Sequence, residues 1–374
     1  RLHKIILALF IWTINSKIKR MKKINREDVE NIVEWFAVNK RDLPWRANNN
    51  PYAVWISEIM LQQTRIEAVI PKYLAFMHKL PNIESLAGCD DDKLMKLWEG
   101  LGYYSRARNI KKCALVLKDK YYYKFPQTKK ELITLPGIGP YTAGAIASIC
   151  FGEKVSAVDG NVLRVLARYF GYKEDIRDSE TVNLFSSIIE NSFSSNDDAL
   201  FVRYFTQGLM ELGEVICIPK GTPNCSSCPL SKHCKAYISD EISSIPYRSK
   251  LKERKIVNKT VLIVHSKDRF LVHKRNDTGL LANLFEFVNI DDASKEDVIS
   301  LVESLGFHIL NTKESITSKH VFTHIEWHMQ AYEIEVSELH QPLLESYYFL
   351  THDELQKVSI PSAFQAYLKH YHLR

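Results

Sequence analysis

No internal repeat and no low-complexity tract runs through this chain of 374 residues, which sets aside repeat architectures and disordered linkers. Nor is any apolar run long enough to cross a bilayer as a helix, a span that takes about 20 residues. The nearest approach, Ile5–Ile14, falls well short; basic residues flank it and no small-residue cleavage pattern comes after it. A dominant charge is missing too. Fifty Lys and Arg stand against 44 Asp and Glu, and the balance holds regionally, 29 against 27 over residues 21–245 and 16 against 17 over residues 246–374. No general basic field therefore argues for a nucleic-acid partner. A disulfide framework is absent as well: seven cysteines is an odd number, and Cys89, Cys113 and Cys150 are scattered. That usage fits a reducing, cytoplasmic setting with no membrane partner.

What is present is the composition of a globular protein, 45% apolar and 25% charged, in a chain long enough for two or three compact units. Residues 1–20 hold five basic residues, and no acid precedes Glu27. Met21 opens a sequence that already reads as a soluble helix, so the fold is expected to begin there, with residues 1–20 an N-terminal extension of unknown role. Local basic runs do occur. Residues 103–130 contain nine Lys or Arg and one acid, Asp119, and a second run lies between Arg248 and Lys259. By itself each reads as a solvated face.

From Arg26 to about Tyr237 the periodicity is helical, as in Val29, Ile32, Val33 and Phe36 and again across Leu86–Lys118. After Pro246 the texture changes. Thr260–His265, Phe270–Lys274 and Met329–Val336 read as strands, with helices near Lys295–Leu305 and Ile360–Tyr371. The expected organisation is a helical unit over residues 21–215, a cysteine segment over 216–237, a linker over 238–259 and an α+β unit over 260–374.

Three constellations carry chemistry. Cys217, Cys225, Cys228 and Cys234 follow C-x7-C-x2-C-x5-C. Four thiolates this close can enclose a structural zinc or a 4Fe-4S cluster. Only one C-x2-C knuckle is present and Pro229 succeeds Cys228, which favours the cluster. Second, Pro136, Gly137, Ile138 and Gly139 precede a helix beginning near Tyr141. Two glycines at a helix N-terminus leave backbone N–H groups free to face an anion, which on a DNA-binding protein would be a backbone phosphate. An ordinary interhelical turn would explain a lone G-x-G, so the hairpin gains weight only from its neighbours in the chain. Third, Asp159 stands where the cap of the next helix belongs, ahead of Gly160-Asn161-Val162.

Hairpin, helix, aspartate and then cysteines is an ordered pattern. It is joined by Leu43-Pro44-Trp45-Arg46, by Pro51-Tyr52-Ala53-Val54-Trp55-Ile56-Ser57-Glu58-Ile59-Met60-Leu61-Gln62-Gln63-Thr64, and by Leu97-Trp98-Glu99-Gly100-Leu101-Gly102-Tyr103-Tyr104-Ser105-Arg106-Ala107-Arg108. Over residues 26–370 the chain resembles the endonuclease III superfamily of helix-hairpin-helix glycosylases, and within it the adenine DNA glycosylases of the MutY type. The resemblance implies a mainly α helix-hairpin-helix glycosylase domain with an iron-sulfur cluster segment, plus a C-terminal α+β Nudix-like domain. It implies a monomer that excises adenine mispaired with 8-oxoguanine or guanine from double-stranded DNA.

In that reading Glu58 is the general acid at adenine N7, since adenine is a poor leaving group until a ring nitrogen is protonated. Asp159 stabilises the oxocarbenium character of the sugar. Bifunctional relatives carry a Schiff-base lysine at the position of Tyr141, so base removal without strand cleavage is implied. Tyr141 and Asn161 would order Asp159 and the attacking water. Trp45, Arg46, Leu61 and Glu211 would line the adenine pocket, and Gln63 and Tyr103 would wedge the duplex while the base is flipped out.

Gly279–Phe287 and His320-Val321-Phe322-Thr323-His324 resemble the family's Nudix-like domain. The helix near Lys295 lacks the paired glutamates of a working Nudix hydrolase, so recognition is expected rather than hydrolysis. Phe322, Thr323 and His324 would read 8-oxoguanine. Thr323 replaces the family's usual serine but keeps the hydroxyl that can accept from N7–H and donate to O8. The x7 spacing between Cys217 and Cys225, one longer than usual, implies a bulged loop. An endonuclease III-like enzyme for oxidised pyrimidines is opposed by Tyr141 and the C-terminal domain. A non-catalytic DNA-binding module is opposed by the retention of Glu58 and Asp159.

Overall fold

The computed structural model describes residues 22–250, 253–337 and 343–374. The expected start at Met21 and the extension before it lie outside the described residues. The chain forms two compact units, one from residues up to 77 with 82–84 and 112–250, the other from 78–81, 85–111 and the chain from 251 onward. Segment 85–111 thus packs with the C-terminal part although it sits early in the sequence.

The first unit is helical. Its long helices, Arg26–Asn39, Pro51–Leu61, Pro140–Phe151, Gly160–Phe170, Ser179–Ser192 and Ala199–Val215, start where the sequence supplies caps. Asn25, Asn50, Asp159 and Asp198 each accept a backbone N–H of the following first turn. The core runs between Gly160–Phe170, Ser179–Ser192 and Ala199–Val215, with Val165, Leu166, Phe185, Phe205 and Leu209 sealed from solvent. Around the cysteines the chain is irregular, with one 3-10 turn, Cys225–Ser227, and a short helix, Lys235–Ile238.

The second unit is built on six strands: β1 (Lys255–Ser266), β2 (Arg269–Lys274), β3 (Phe285–Asp291), β4 (Ile309–Val321), β5 (Ile325–Val336) and β6 (Tyr347–Thr351). Their order is β4-β5-β1-β3-β2-β6, and β1 and β5 run parallel from Lys255 opposite Ile325 to His265 opposite Glu335. β1 begins earlier than the Thr260 expected from sequence, inside the basic run. Side chains alternate across the sheet. Val261 and Ile263 pack toward Phe364, Tyr367 and Leu368, whereas Leu262 and Val264 pack toward Val298 and Val302 of the helix Lys295–Ser304. Both faces of β1 are therefore covered, which explains its continuous apolar run. Within the same unit, Ser359 Oγ donates to the Met95 carbonyl at 3.2 Å and Arg108 Nη1 to the Ala282 carbonyl at 2.9 Å. Arg374 pairs with Glu99. No helix among the described residues is long and apolar enough to cross a membrane.

Candidate active site

A cavity of about 490 Å³ in the first unit gathers residues from four separate stretches of sequence. The helix Pro51–Leu61 is buried from Tyr52 to Met60, and this carries Glu58 inside, where it is 7% exposed. Tyr141, in the first turn of Pro140–Phe151, donates its hydroxyl to Glu58 Oε2 at 2.5 Å. Burial pushes Glu58 up to about 7, helped by the nearby charge of Asp159 and opposed by the Tyr141 hydrogen bond and by Arg46. The same burial, with Glu58 and Asp159 alongside, holds Tyr141 well above its ordinary range, so it keeps its proton. Tyr141 is expected from sequence to order Asp159; its hydroxyl turns to Glu58 instead.

Asp159 is the cap of Gly160–Phe170, its Oδ1 accepting from the Val162 N–H at 2.7 Å. Asn161 Nδ2 donates to Asp159 Oδ2 at 3.0 Å, as expected of a residue that orders it. Burial raises Asp159, and these donors work against that rise. Asn161 is itself held by Arg164, whose Nη2 reaches Asn161 Oδ1 at 2.8 Å and the Gly213 carbonyl at 2.6 Å. Arg164 Nε donates to the Cys217 carbonyl at 2.7 Å. Sequence reasoning misses Arg164; its place one turn past Asp159 is the only available signal.

The expected adenine-pocket residues all line this cavity. Trp45 is 6% exposed and packs edge-on to Tyr73 at 5.2 Å, so it serves core and cavity together. Arg46 and Glu211 prove to be partners, Nη2 to Oε2 at 2.8 Å. Arg41, which sequence reasoning also misses, grips the same carboxylate through Nε at 2.7 Å and Nη2 at 2.9 Å. Burial alone would raise Glu211, but the two arginines win and hold it at about 2. Leu61 ends the helix that carries Glu58. Gln63 comes two residues later, exposed and at φ 58°, a left-handed conformation that few side chains adopt and that clusters at functional sites.

The hairpin has the expected form. Ile138 N–H returns to the Leu135 carbonyl at 3.1 Å, with Gly137 at φ 73° in between. Pro136 is half-buried and Ile138 buried. Gly139 caps Pro140–Phe151 without any side-chain hydrogen bond, so the first N–H groups of the helix are left for an outside acceptor.

The loop expected to read 8-oxoguanine lies in the second unit. Phe322 anchors it, packing edge-to-face on Trp327 at 4.8 Å, and its N–H closes the turn onto the Ile325 carbonyl at 2.8 Å. Thr323 and His324 stand exposed at the tip. The Thr323 hydroxyl meets the Tyr103 hydroxyl at 2.8 Å, so two residues expected in separate roles form one pair. Tyr103 is 47% exposed, sits at φ 45°, and lies against the Arg106 guanidinium at 5.6 Å.

The four cysteines form no disulfide, and each is partly buried. Among the described residues no three candidate ligands converge closely enough for a single metal ion. Arg168 Nη1 donates to Cys217 Sγ at 3.2 Å. An all-sulfur donor set with a cationic hydrogen bond to sulfur fits a cluster held by thiolates.

Comparison with known families agrees with this architecture. Residues 56–191 match the profile of the HhH-GPD superfamily of base excision DNA repair proteins, and residues 260–370 match a NUDIX domain. An adenine DNA glycosylase of Buchnera aphidicola subsp. Baizongia pistaciae is 36% identical over 79% of this chain and 82% of its own length. That of Buchnera aphidicola subsp. Acyrthosiphon pisum is 32% identical over 91% and 96%. A thermostable thymine-DNA glycosylase superposes with a TM-score of 0.50 at 29% identity, covering 60% of this chain and 99% of its own. The fold and site are thus those of a helix-hairpin-helix base-excision repair protein that binds DNA. Within that class, the chain belongs to the adenine DNA glycosylase family.

Proposed function

We propose that this protein hydrolyses the N-glycosidic bond of adenine paired with 8-oxoguanine, or with guanine, in duplex DNA, and does not cut the strand itself. The observation that carries the reading is Glu58. It is a buried carboxyl held near 7 and hydrogen-bonded by Tyr141, in the same cavity as the capping carboxylate Asp159. A group poised there is about half protonated at neutral pH, and the protonated fraction can donate to adenine N7. Asp159, oriented by Asn161, faces the positive charge that develops on the sugar. Trp45 and Leu61 would contact the flipped base, and the Arg46–Glu211 pair would present fixed hydrogen-bonding groups to its edge. Gln63 and Tyr103 would enter the duplex, the Pro136–Gly139 hairpin would take a backbone phosphate, and the Phe322–His324 loop would read the opposite base.

Tyr141 offers no amine, so no imine with the sugar can form at that position. Cys217, Cys225, Cys228 and Cys234 would hold a 4Fe-4S cluster that ties the irregular segment after residue 215 together. The protein would act as a cytoplasmic monomer on nucleoid DNA.

The test is a duplex with a single adenine·8-oxoguanine pair, incubated with enzyme and analysed with and without alkali. The expected product is an abasic site that breaks only after alkali. Nicking without alkali, together with a borohydride-trapped adduct, would overturn the monofunctional assignment. The purified protein should carry broad visible absorption that Cys228→Ser removes; stoichiometric zinc would contradict the cluster.

A further inference from the structure

The cavity contains a fourth carboxylate, Glu214, for which the reaction as described has no use. It stands one turn beyond Glu211 on the helix Ala199–Val215, yet the two differ in surroundings. Glu211 is sealed and bound by two arginines, whereas Glu214 is exposed at the cavity wall. Its Oε2 accepts from Asn161 Nδ2 at 3.3 Å. The neighbouring Gly213 explains how the helix comes so close: a Cβ there would lie 2.5 Å from the Asn161 Cβ.

We infer that Glu214 is a positioning residue for the Asn161 amide. Arg164 can only donate, so the amide oxygen of Asn161 must face it and the amide nitrogen must face the carboxylates. That nitrogen carries two hydrogens. One goes to Asp159 Oδ2 and the other to Glu214 Oε2. With Glu214 in place the amide is held on both of its polar atoms and against Gly213 at its Cβ. Without it, one N–H is released and the amide can rotate away from Asp159. The same carboxylate brings negative charge to the mouth of a cavity that must admit a sugar–phosphate chain. It therefore weakens DNA binding while steadying the chemistry, two effects that separate by mutation.

The inference rests on the adenine-excision reading, and the wild-type enzyme on an adenine·8-oxoguanine duplex tests that reading independently. Single-turnover excision and duplex affinity are then measured for Glu214→Gln and Glu214→Ala. Glu214→Gln keeps an oxygen acceptor for Asn161 and removes the charge. Its excision rate should stay within about twofold of wild type while it binds DNA more tightly at low salt, an advantage that fades as salt screens the charge. Glu214→Ala removes charge and acceptor together. It should bind as tightly as Glu214→Gln but excise about tenfold more slowly, the scale of one lost hydrogen bond to a charged group. An active wild type with Glu214→Ala excising at the wild-type rate would overturn the inference. Equal losses in both variants would also do so, because charge rather than amide orientation would then be responsible.

Discussion

Under the proposed function, the cavity around Glu58 and the loop around Thr323 would solve opposite problems with opposite materials. The cavity is made of ionisable groups taken out of water, each fixed by a partner: Glu58 by Tyr141, Asp159 by Asn161 and a helix N-terminus, Glu211 by Arg41 and Arg46. The loop is made of neutral hydroxyls left in water, Thr323 against Tyr103, steadied from beneath by Phe322 on Trp327. A general acid at neutral pH is served by a raised pKa, and burial is the largest cause of the rise at Glu58, with the charge of Asp159 adding to it. Discrimination between two bases needs exposed groups that exchange water for base at little cost. Changes in the cavity should therefore be severe and act on rate; changes in the loop should be mild and act on preference.

The largest expected effect is that of Glu58→Gln, which removes the acid while keeping the shape. Excision should fall about a thousandfold with duplex binding nearly intact, within the range of a lost general acid. Comparable turnover in the mutant would take Glu58 out of the mechanism. Next comes Glu211→Gln, which leaves Arg41 and Arg46 without their carboxylate. A loss of roughly 2 to 3 kcal/mol in unfolding free energy is expected, since the carboxylate is fully buried but its partners are partly exposed. Glu211 lies below its ordinary value, at about 2, so its contribution is present above the unfolded carboxylate range and fades as pH falls toward 2. A variant as stable as wild type at neutral pH would mean that the pair contributes little to the fold.

A smaller effect comes from the acid itself. Wild-type excision should decline as pH rises through about 7, because Glu58 must carry a proton to act. The Tyr141 hydroxyl pulls Glu58 downward, so Tyr141→Phe should move that decline to higher pH, with a rate loss of about tenfold or less on the acid side. A decline that stays in place would assign the ionisation to another group.

How far the site is legible in sequence depends on how local each signal is. The cap at Asp159, the Pro136–Gly139 hairpin and the cysteine spacing are written within a few residues and can be read directly. Glu58 is visible through its motif, but its hydroxyl partner is 83 residues away and no spacing reveals it. The Arg41–Glu211 pair spans 170 residues and is likewise out of reach. Three strands are not expected from sequence: β4 and β6, which carry the edges of the sheet, and the short central β3, although its first four residues are buried. The central β1 is visible because burial on both faces leaves a continuous apolar run.

The smallest effect sharpens the comparison from the loop side. Thr323→Ala and Tyr103→Phe should each reduce the preference for 8-oxoguanine over guanine by about fivefold, since one hydroxyl is worth on the order of 1 kcal/mol. The two hydroxyls form one pair, so the double variant should lose little more than either alone. Fully additive losses would show that they act separately.

The joining of segment 85–111 to the C-terminal tail has a consequence for the order in which the chain matures. Met95 and Glu99 leave the ribosome more than two hundred residues before Ser359 and Arg374, which bind them in the finished protein. The turn that presents Tyr103 lies within that segment, whose contacts with Ser359 and Arg374 become available only once those residues have been made. Contacts so distant in sequence form slowly, because a long loop must close before they are gained. A nascent chain halted before residue 358 would keep its catalytic carboxylates yet expose the surface around Met95, making it a substrate for chaperones and proteases rather than a simpler enzyme.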